Sequence, residues 1–287
     1  VRFNIISNLH NGAGLQRDFE TLQYALIARG HQVKGVQFND KPLRIAPADV
    51  NIFDEVVTPL AFKAAPVQWV MPHPEWWFDL WDRYHFDKVL AKTRDCERIF
   101  KAKVGGRCQY LGWAAKDLYR PGFSQVRRFL HISGKSRFKN TPAVIEGCRH
   151  AGVPLTVIGE YGGLHRVNEN ELIRLMNSHF CQVMPSAYEG YGHVIHESQS
   201  VGQVLITTDV PPMNEVLPSF CIPSISHTMH HAAPLHKVSP LDVSKAVEKV
   251  MGLTDMALQT LADEARAQYD KDRLAFEVAL DELVGCR

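Results

Sequence analysis

Apolar positions along this chain follow two periods, and the two alternate. Val1 to Ser7 is a short β-branched run, and Leu15 to Arg29 then shows apolar residues at Leu15, Phe19, Leu22, Leu26 and Ile27, at helical spacing. Between them lies a glycine loop, Asn8 to Gly14. Gly30-His31 stops the helix, and Gln32 to Phe38 predicts a second strand. Further strands are predicted at Val50 to Phe53, Val67 to Met71 and Lys88 to Ala91, with an aromatic helix over Glu75 to Tyr84 and another helix over Thr93 to Ala102. The first unit closes near Tyr110. Strands alternating with helices predict a parallel sheet.

Ala115 to Gln125 carries Pro-Gly and no period, and reads as a linker. A second alternation follows, with strands at Phe129 to Ser133, Leu155 to Ile158, Gln182 to Met184, Val204 to Thr207 and Cys221 to Pro223. Its helices are predicted at Pro142 to His150, Glu169 to Ser178, His193 to Val201 and Asn214 to Leu217. From Pro240 the pattern is helical almost to the end, and no internal repeat interrupts it. The expectation is two Rossmann-like domains, residues 1–121 and 122–287, the second carrying the C-terminal helices.

Composition narrows the class. With 45% apolar and 22% charged residues, the chain can fill two ordinary cores. It has no apolar run long enough for a membrane span and no leader-like start, so a cytoplasmic location is expected. Six cysteines without a CxxC pair fit reduced thiols better than disulfides or zinc. The net charge of +1 conceals an asymmetry: Lys92 to Asn140 holds thirteen Lys or Arg against Asp95, Glu97 and Asp117, a local +10, leaving −9 for the rest. Such a window is either a solvated face paired elsewhere or a surface for an anionic partner.

The chemistry concentrates in PSAYEGYGHVIHESQSVGQ, Pro185 to Gln203. It follows a predicted strand and opens a helix near Gly192, so the amides of Gly190, Tyr191 and Gly192 fall at a helix N-terminus, where unpaired N–H groups favour phosphate. Glu189 and Glu197 are separated by about 8 to 12 Å at 1.5 Å per residue. That matches the span from the sugar to the ribose of a nucleoside diphosphate sugar. A carboxylate accepts from vicinal hydroxyls, which suits Glu189 to the sugar and Glu197 to the ribose.

The run P-S-x-x-E-G-Y-G-x-x-x-x-E resembles the donor-binding signature (EX7E) of the retaining GT-B glycosyltransferases, family 4-like, also called glycosyl transferases group 1. FLHISGKSRFKNT (Phe129 to Thr141), LTVIGE (Leu155 to Glu160) and LGWAAKDLYRP (Leu111 to Pro121) are similar to further landmarks of that family, in the right order. The resemblance implies two facing Rossmann-like domains, the donor held mainly by the second and the acceptor by the first. It implies roles residue by residue: Glu189 on the donor sugar, Gly190, Tyr191 and Gly192 on sugar and phosphate, Val194 on the nucleotide and Glu197 on the ribose. Lys135 and Lys139 fall to the diphosphate, Lys135 where the family more often has arginine and the pair one residue closer than common. The loop Gly12, Ala13 and Gly14 would reach the donor, and His73 falls where the family often places a histidine near the reacting carbon. No metal or cofactor is implied beyond the UDP- or GDP-linked sugar that serves as substrate.

The expected reaction moves a hexose to a hydroxyl of a saccharide or lipid-linked acceptor, with Lys135, Lys139 and the helix amides stabilising the departing diphosphate. A short first domain, the basic window and the aromatics Trp76, Trp77, Trp81 and Tyr84 raise a polyanionic acceptor as an alternative, DNA with hydroxylated bases. A dinucleotide-binding reading rests on Gly12-x-Gly14 and Asp40, but Arg17 occupies the third glycine's place. A non-catalytic nucleotide-sugar-binding module is the remaining alternative. The histidines His227, His230, His231 and His236 bring no carboxylate and no closed ligand spacing, so no metal site is read there.

Overall fold

The computed structural model describes residues 1–12, 14–160, 164 and 167–285. The chain separates into two compact units: Val1–Ala115 with His230–Ala233 and Arg273–Arg287, and Lys116–Met229 with Pro234–Asp272.

The first unit is built on a six-stranded sheet of β1 (Arg2–Ser7), β2 (Gln32–Gln37), β3 (Val50–Asp54), β4 (Val67–Met71), β5 (Lys88–Ala91) and β6 (Cys108–Tyr110). Its order is β2-β1-β3-β4-β5-β6, and every pairing is parallel. β3 is buried along its whole length, as a strand covered on both faces must be; Val50, Ile52 and Phe53 are its apolar positions, and the buried Asn51 and Asp54 between and after them are hydrogen-bonded. Helix α1 (Gly14–Ala28) follows β1, and α2 (Arg94–Val104) follows β5. Helix α2 begins where the Thr93 hydroxyl accepts from the Cys96 amide at 3.1 Å, carries Asp95 and Glu97 in its first turn and Lys101 and Lys103 in its last, and stops at Gly105 with φ +61°.

The second unit holds a five-stranded sheet: β7 (Val126–Gly134), β8 (Leu155–Gly159), β9 (His179–Met184), β10 (Val204–Thr208) and β11 (Phe220–Ile222), in the order β11-β10-β9-β7-β8 and again all parallel. Helices α3 (Thr141–His150), α4 (Glu169–Ser178) and α5 (His193–Ser200) alternate with the strands. A two-stranded sheet, β12 (Ser224–His230) and β13 (Ala233–Val238), precedes α6 (Pro240–Met251) and the 30-residue α7 (Asp255–Val284). Gly147 brings α3 against α6: a Cβ built there would lie 2.6 Å from the Val243 Cβ. One face of this sheet buries Phe129, Cys181, Val183 and Ile206 with Val144, Val243 and Val247; the other buries Leu130, Met184 and Leu205 with Met176 and Ile195.

Parallel strands alternating with helices, and a helical end, are as expected. Three local expectations fail. The aromatic helix at Glu75–Tyr84 is instead two short 3-10 turns, Pro74–Trp76 and Asp79–Arg83, with Trp77 and Phe78 extended between them. Burial of Trp77 among Trp81, Phe86 and Phe100, with its indole N–H donated to Asp82 at 2.7 Å, overrides helical spacing. The predicted helix Asn214–Leu217 is a single 3-10 turn, Met213–Val216, ended by Leu217 at φ +50°. The pair β12 and β13, which shows no clean alternation in sequence, was not anticipated, because its first strand is largely exposed on both faces.

No helix among the described residues is long and apolar enough to cross a membrane.

Candidate active site

Ligands of open parallel sheets bind beyond the carboxyl ends of the strands, where the strand order reverses. In the second unit that point lies between β7 and β9, because the chain goes from β7 outward to β8 and then returns to the other side of β7. The loops leaving those two strands carry Lys139 and Glu189. The Lys139 ammonium donates to Oε1 of Glu189, and the Ser186 hydroxyl donates to the same oxygen at 2.5 Å. Both charged side chains are nearly enclosed.

Each loop is held by the other. The Ala187 amide donates to the Phe138 carbonyl at 2.7 Å, and the Asn140 side-chain amide donates to the Pro185 carbonyl at 2.8 Å. Asn140 itself stands at φ +48°. Below them His131 is buried, with Nδ1 2.7 Å from the Val183 carbonyl and Nε2 2.8 Å from the Thr141 hydroxyl. The carbonyl can only accept, so Nδ1 carries the proton and the hydroxyl donates to Nε2. Burial, reinforced by the Lys139 cation, lowers this imidazole to about 4 despite the carbonyl bond.

Gly190, Tyr191 and Gly192 are buried in the turn after Glu189, and Gly192 opens α5 at φ +87°. A Cβ at Gly192 would stand 3.3 Å from Ile195 and 3.4 Å from Cγ of Glu189, so the bare backbone is the wall behind that glutamate. Tyr191 lies flat on His196, ring centroids 4.2 Å apart and planes within 6°. Burial, with the neighbouring His193, lowers His196 to about 3. The Gly192 carbonyl accepts from Ile195 and His196, and Val194, partly exposed, sits in the first turn. Glu197, one turn farther on, is only 1% exposed. Lys135 is exposed, directly after Gly134 at φ +55°. The structure therefore brings Lys139 to Glu189, and leaves Lys135 reaching into solvent and Glu197 enclosed.

In the first unit the strand order reverses between β1 and β3. Gly12, exposed at φ +64°, donates its amide to the Gln16 side chain at 3.1 Å, and Gly14 starts α1; Ala13 lies outside the described residues. His73, just beyond β4, is buried with both ring nitrogens engaged. Nδ1 is 2.8 Å from Glu55, and Nε2 is 2.8 Å from Lys92 and 3.5 Å from Asp18. Lys92 is fully buried, 2.6 Å from Asp18 and 3.4 Å from Asp54, and Asp54 accepts from the Ser7 hydroxyl at 2.8 Å.

Burial opposes charge on Lys92, but Asp18 and Asp54 outweigh it and raise its pKa. Burial raises Asp54 to about 6 against the pull of Lys92. For His73, burial and Lys92 push down while the bond to Glu55 and the charges of Glu55 and Glu75 push up, and the balance is a rise to about 9. A 2.8 Å separation between Nε2 and Nζ accommodates one proton between them, so Lys92 and His73 titrate as a pair. Asp18, Asp54 and His73 offer ligand atoms within 4.8 Å of one another, and the Lys92 ammonium occupies the role a cation would take there.

Sequence reading missed Ser186, although it stands in the quoted motif, and all of Asp18, Asp54, Glu55 and Lys92. A signal was present: Ser7, Asp54 and Lys92 are polar residues at or just beyond the carboxyl ends of predicted apolar strands. The basic window, in turn, is largely neutralised locally. Eight of its thirteen cations pair with carboxylates, which favours the solvated-face reading over an anionic surface.

Residues 162–220, which contain Glu189 and Glu197, match the family model described as glycosyl transferases group 1. Solved structures with the same fold include sucrose-phosphate synthase from Thermosynechococcus elongatus, 12% identical with a TM-score of 0.73 over 99% of this chain and 98% of that one. A glycosyltransferase from Rickettsia africae ESF-5 is 12% identical with a TM-score of 0.73, covering 100% of this chain and 99% of that one. The E. coli trehalose-6-phosphate protein bound with UDP-2-fluoro glucose is 10% identical with a TM-score of 0.70, covering 99% of each. The fold of this chain is that of the GT-B glycosyltransferases. No curated protein sequence matches it significantly.

Proposed function

We propose that this chain, with its GT-B fold and its group 1 segment, is a retaining glycosyltransferase that moves a hexose from a UDP- or GDP-linked donor to a hydroxyl of a saccharide or lipid-linked acceptor. The observation that carries the reading is the Lys139–Glu189–Ser186 constellation at the switch point of the second sheet, with Ser186 and Glu189 inside the segment the family model covers.

Each part has a chemical task. Glu189 accepts from a sugar hydroxyl and sets the hexose against the turn of Gly190 to Gly192. Val194 lies against the nucleotide, and Glu197, in the same helix, takes the ribose once the ligand is seated. As the bond to the anomeric carbon lengthens, positive charge grows on the sugar ring and negative charge on the departing diphosphate. An ammonium has three N–H donors, so Lys139 can hold Glu189 and a phosphate oxygen together. Lys135, exposed to solvent, adds a second cation, and the first-turn amides of α5 add dipoles aimed at the same charge. Cationic stabilisation is thus supplied by the chain's own side chains, without a metal ion.

The test is a panel of UDP- and GDP-linked hexoses, read first as thermal stabilisation and then as transfer corrected for hydrolysis. A retained anomeric configuration in the product, read by NMR coupling constants, is the expected result. Inversion, or no stabilisation by any nucleotide or nucleotide sugar, overturns the proposal.

A further inference from the structure

We infer that Ser186 is a positioning residue that makes Glu189 a one-oxygen reader of the donor sugar, and that it thereby sets discrimination at a single hydroxyl of the hexose. This inference rests on the glycosyltransferase reading above and adds a residue to it.

Oε1 of Glu189 accepts from both the Lys139 ammonium and the Ser186 hydroxyl. Two in-plane donors fill one carboxylate oxygen, and Oε2 keeps its acceptor capacity for a ligand. A carboxylate free to rotate would offer either oxygen or both, and would tolerate hydroxyls at neighbouring positions. Held by one oxygen, Glu189 offers a single acceptor at a fixed place.

Ser186 is itself immobile. It is fully buried, its amide donates to the Met184 carbonyl at 2.8 Å, and its carbonyl accepts from the Thr208 hydroxyl at the end of β10 at 2.7 Å. The hydroxyl is therefore referenced to two strands of the sheet, β9 and β10. Gly192 lies beside the stem of Glu189: a Cβ built there would stand 3.4 Å from its Cγ and 3.5 Å from its Cβ. Lys139 alone cannot supply this precision, because its long side chain also serves the diphosphate. A site that presents one acceptor at a fixed point rejects an epimer whose hydroxyl points elsewhere, since the acceptor is then desolvated and unmatched.

The experiment compares wild type, Ser186→Ala and Ser186→Thr in binding UDP, GDP and a set of UDP- and GDP-hexoses differing at one hydroxyl, with melting temperatures recorded for each variant. Affinity for the free nucleoside diphosphates is expected to be unchanged in Ser186→Ala. The preferred nucleotide sugar is expected to lose about 10- to 100-fold in kcat/KM, with discrimination narrowed by about tenfold at one hydroxyl only. Ser186→Thr, which keeps the donor, is expected to recover most of that discrimination; if its extra methyl unfolds the site, Ser186→Cys, a weak donor of similar size, should fall between wild type and Ala. Equal loss for every epimer, equal loss for the free nucleoside diphosphates, or no change in discrimination overturns the inference while leaving the glycosyltransferase reading in place. Failure of the wild type to bind any of these compounds overturns both.

Discussion

The ammonium of Lys92 and the imidazole of His73 face each other nitrogen to nitrogen at 2.8 Å, in a pocket that also holds Asp18, Asp54 and Glu55. Lys92 balances two buried carboxylates. Removing one partner of a buried charge set strands the others, at a cost of about 3–5 kcal/mol. Lys92→Met is therefore expected to lower the melting temperature sharply, and the double variant with Asp18→Asn to recover part of the loss. Denaturant melts of the two variants check this.

Because both nitrogens of His73 already have partners, His73→Gln is expected to disturb the fold of the first unit as well as any transfer. A variant that melts like wild type yet has lost activity would assign His73 to the reaction itself. Activity and melting temperature measured on the same sample separate the two outcomes.

Glu189→Gln keeps the shape of the side chain and removes its charge. Lys139 then loses a charged partner, and in the proposed function the donor sugar loses a charged acceptor. A fall in kcat of about 100-fold or more is expected, on the scale of losing one preorganised group, with far-UV circular dichroism unchanged. Single-turnover transfer with the preferred donor provides the measurement.

Gly192→Ala places a side chain at φ +87° and within 3.3–3.5 Å of Ile195 and Glu189. Backbone strain of that kind costs about 1–3 kcal/mol. The larger expected effect is on function, because the strain falls on the turn that carries Glu189 into α5. Calorimetric titration with the nucleotide sugar should weaken more than titration with the nucleoside diphosphate alone.

His131 is neutral in the fold and titrates at about 4, against an ordinary 6.5. The unfolded chain therefore binds the extra proton first as pH drops. The contribution of His131 to stability is complete above pH 6.5 and is lost as pH falls from there to about 4. His131→Asn, which retains hydrogen-bonding groups, is expected to be less stable than wild type at pH 7.5, by a margin that shrinks by about 3 kcal/mol towards pH 4, at 1.36 kcal/mol per unit. Urea midpoints at the two pH values test it.

Much of this was legible in the residues. The period of the apolar positions located β4, β5 and α4 to the residue, and placed Lys139 and Glu189 on loops that leave neighbouring strands. That is enough to find the second-unit site, because chemistry gathers where parallel strands end. What stayed hidden is what only three dimensions supply. Glu55 turns to φ +64° to reach His73, and nothing in its neighbours' identities demands that conformation. Asp18 reads as one more polar residue on α1 until the helix is docked and proves to bury it. Glu189 and Ser186 are three residues apart in the chain, but their bond depends on the turn between them. The basic window stayed open to two readings for the same reason, since several of its partners, Asp82, Glu169 and Asp255 among them, lie outside it in sequence.

Arg29, just past α1, sends its guanidinium to Glu277 at 2.7 Å and Asp281 at 2.6 Å, and Phe276 packs on Trp113 with ring centroids 5.0 Å apart. The first unit thus takes part of its core from the far end of α7. During synthesis its strands emerge early, but the last pieces of its interior arrive only when residues 276–281 have left the ribosome. A fragment ending at Ala115 would lack them, so the natural order of maturation is for the second unit to be fully translated before the first can be completed.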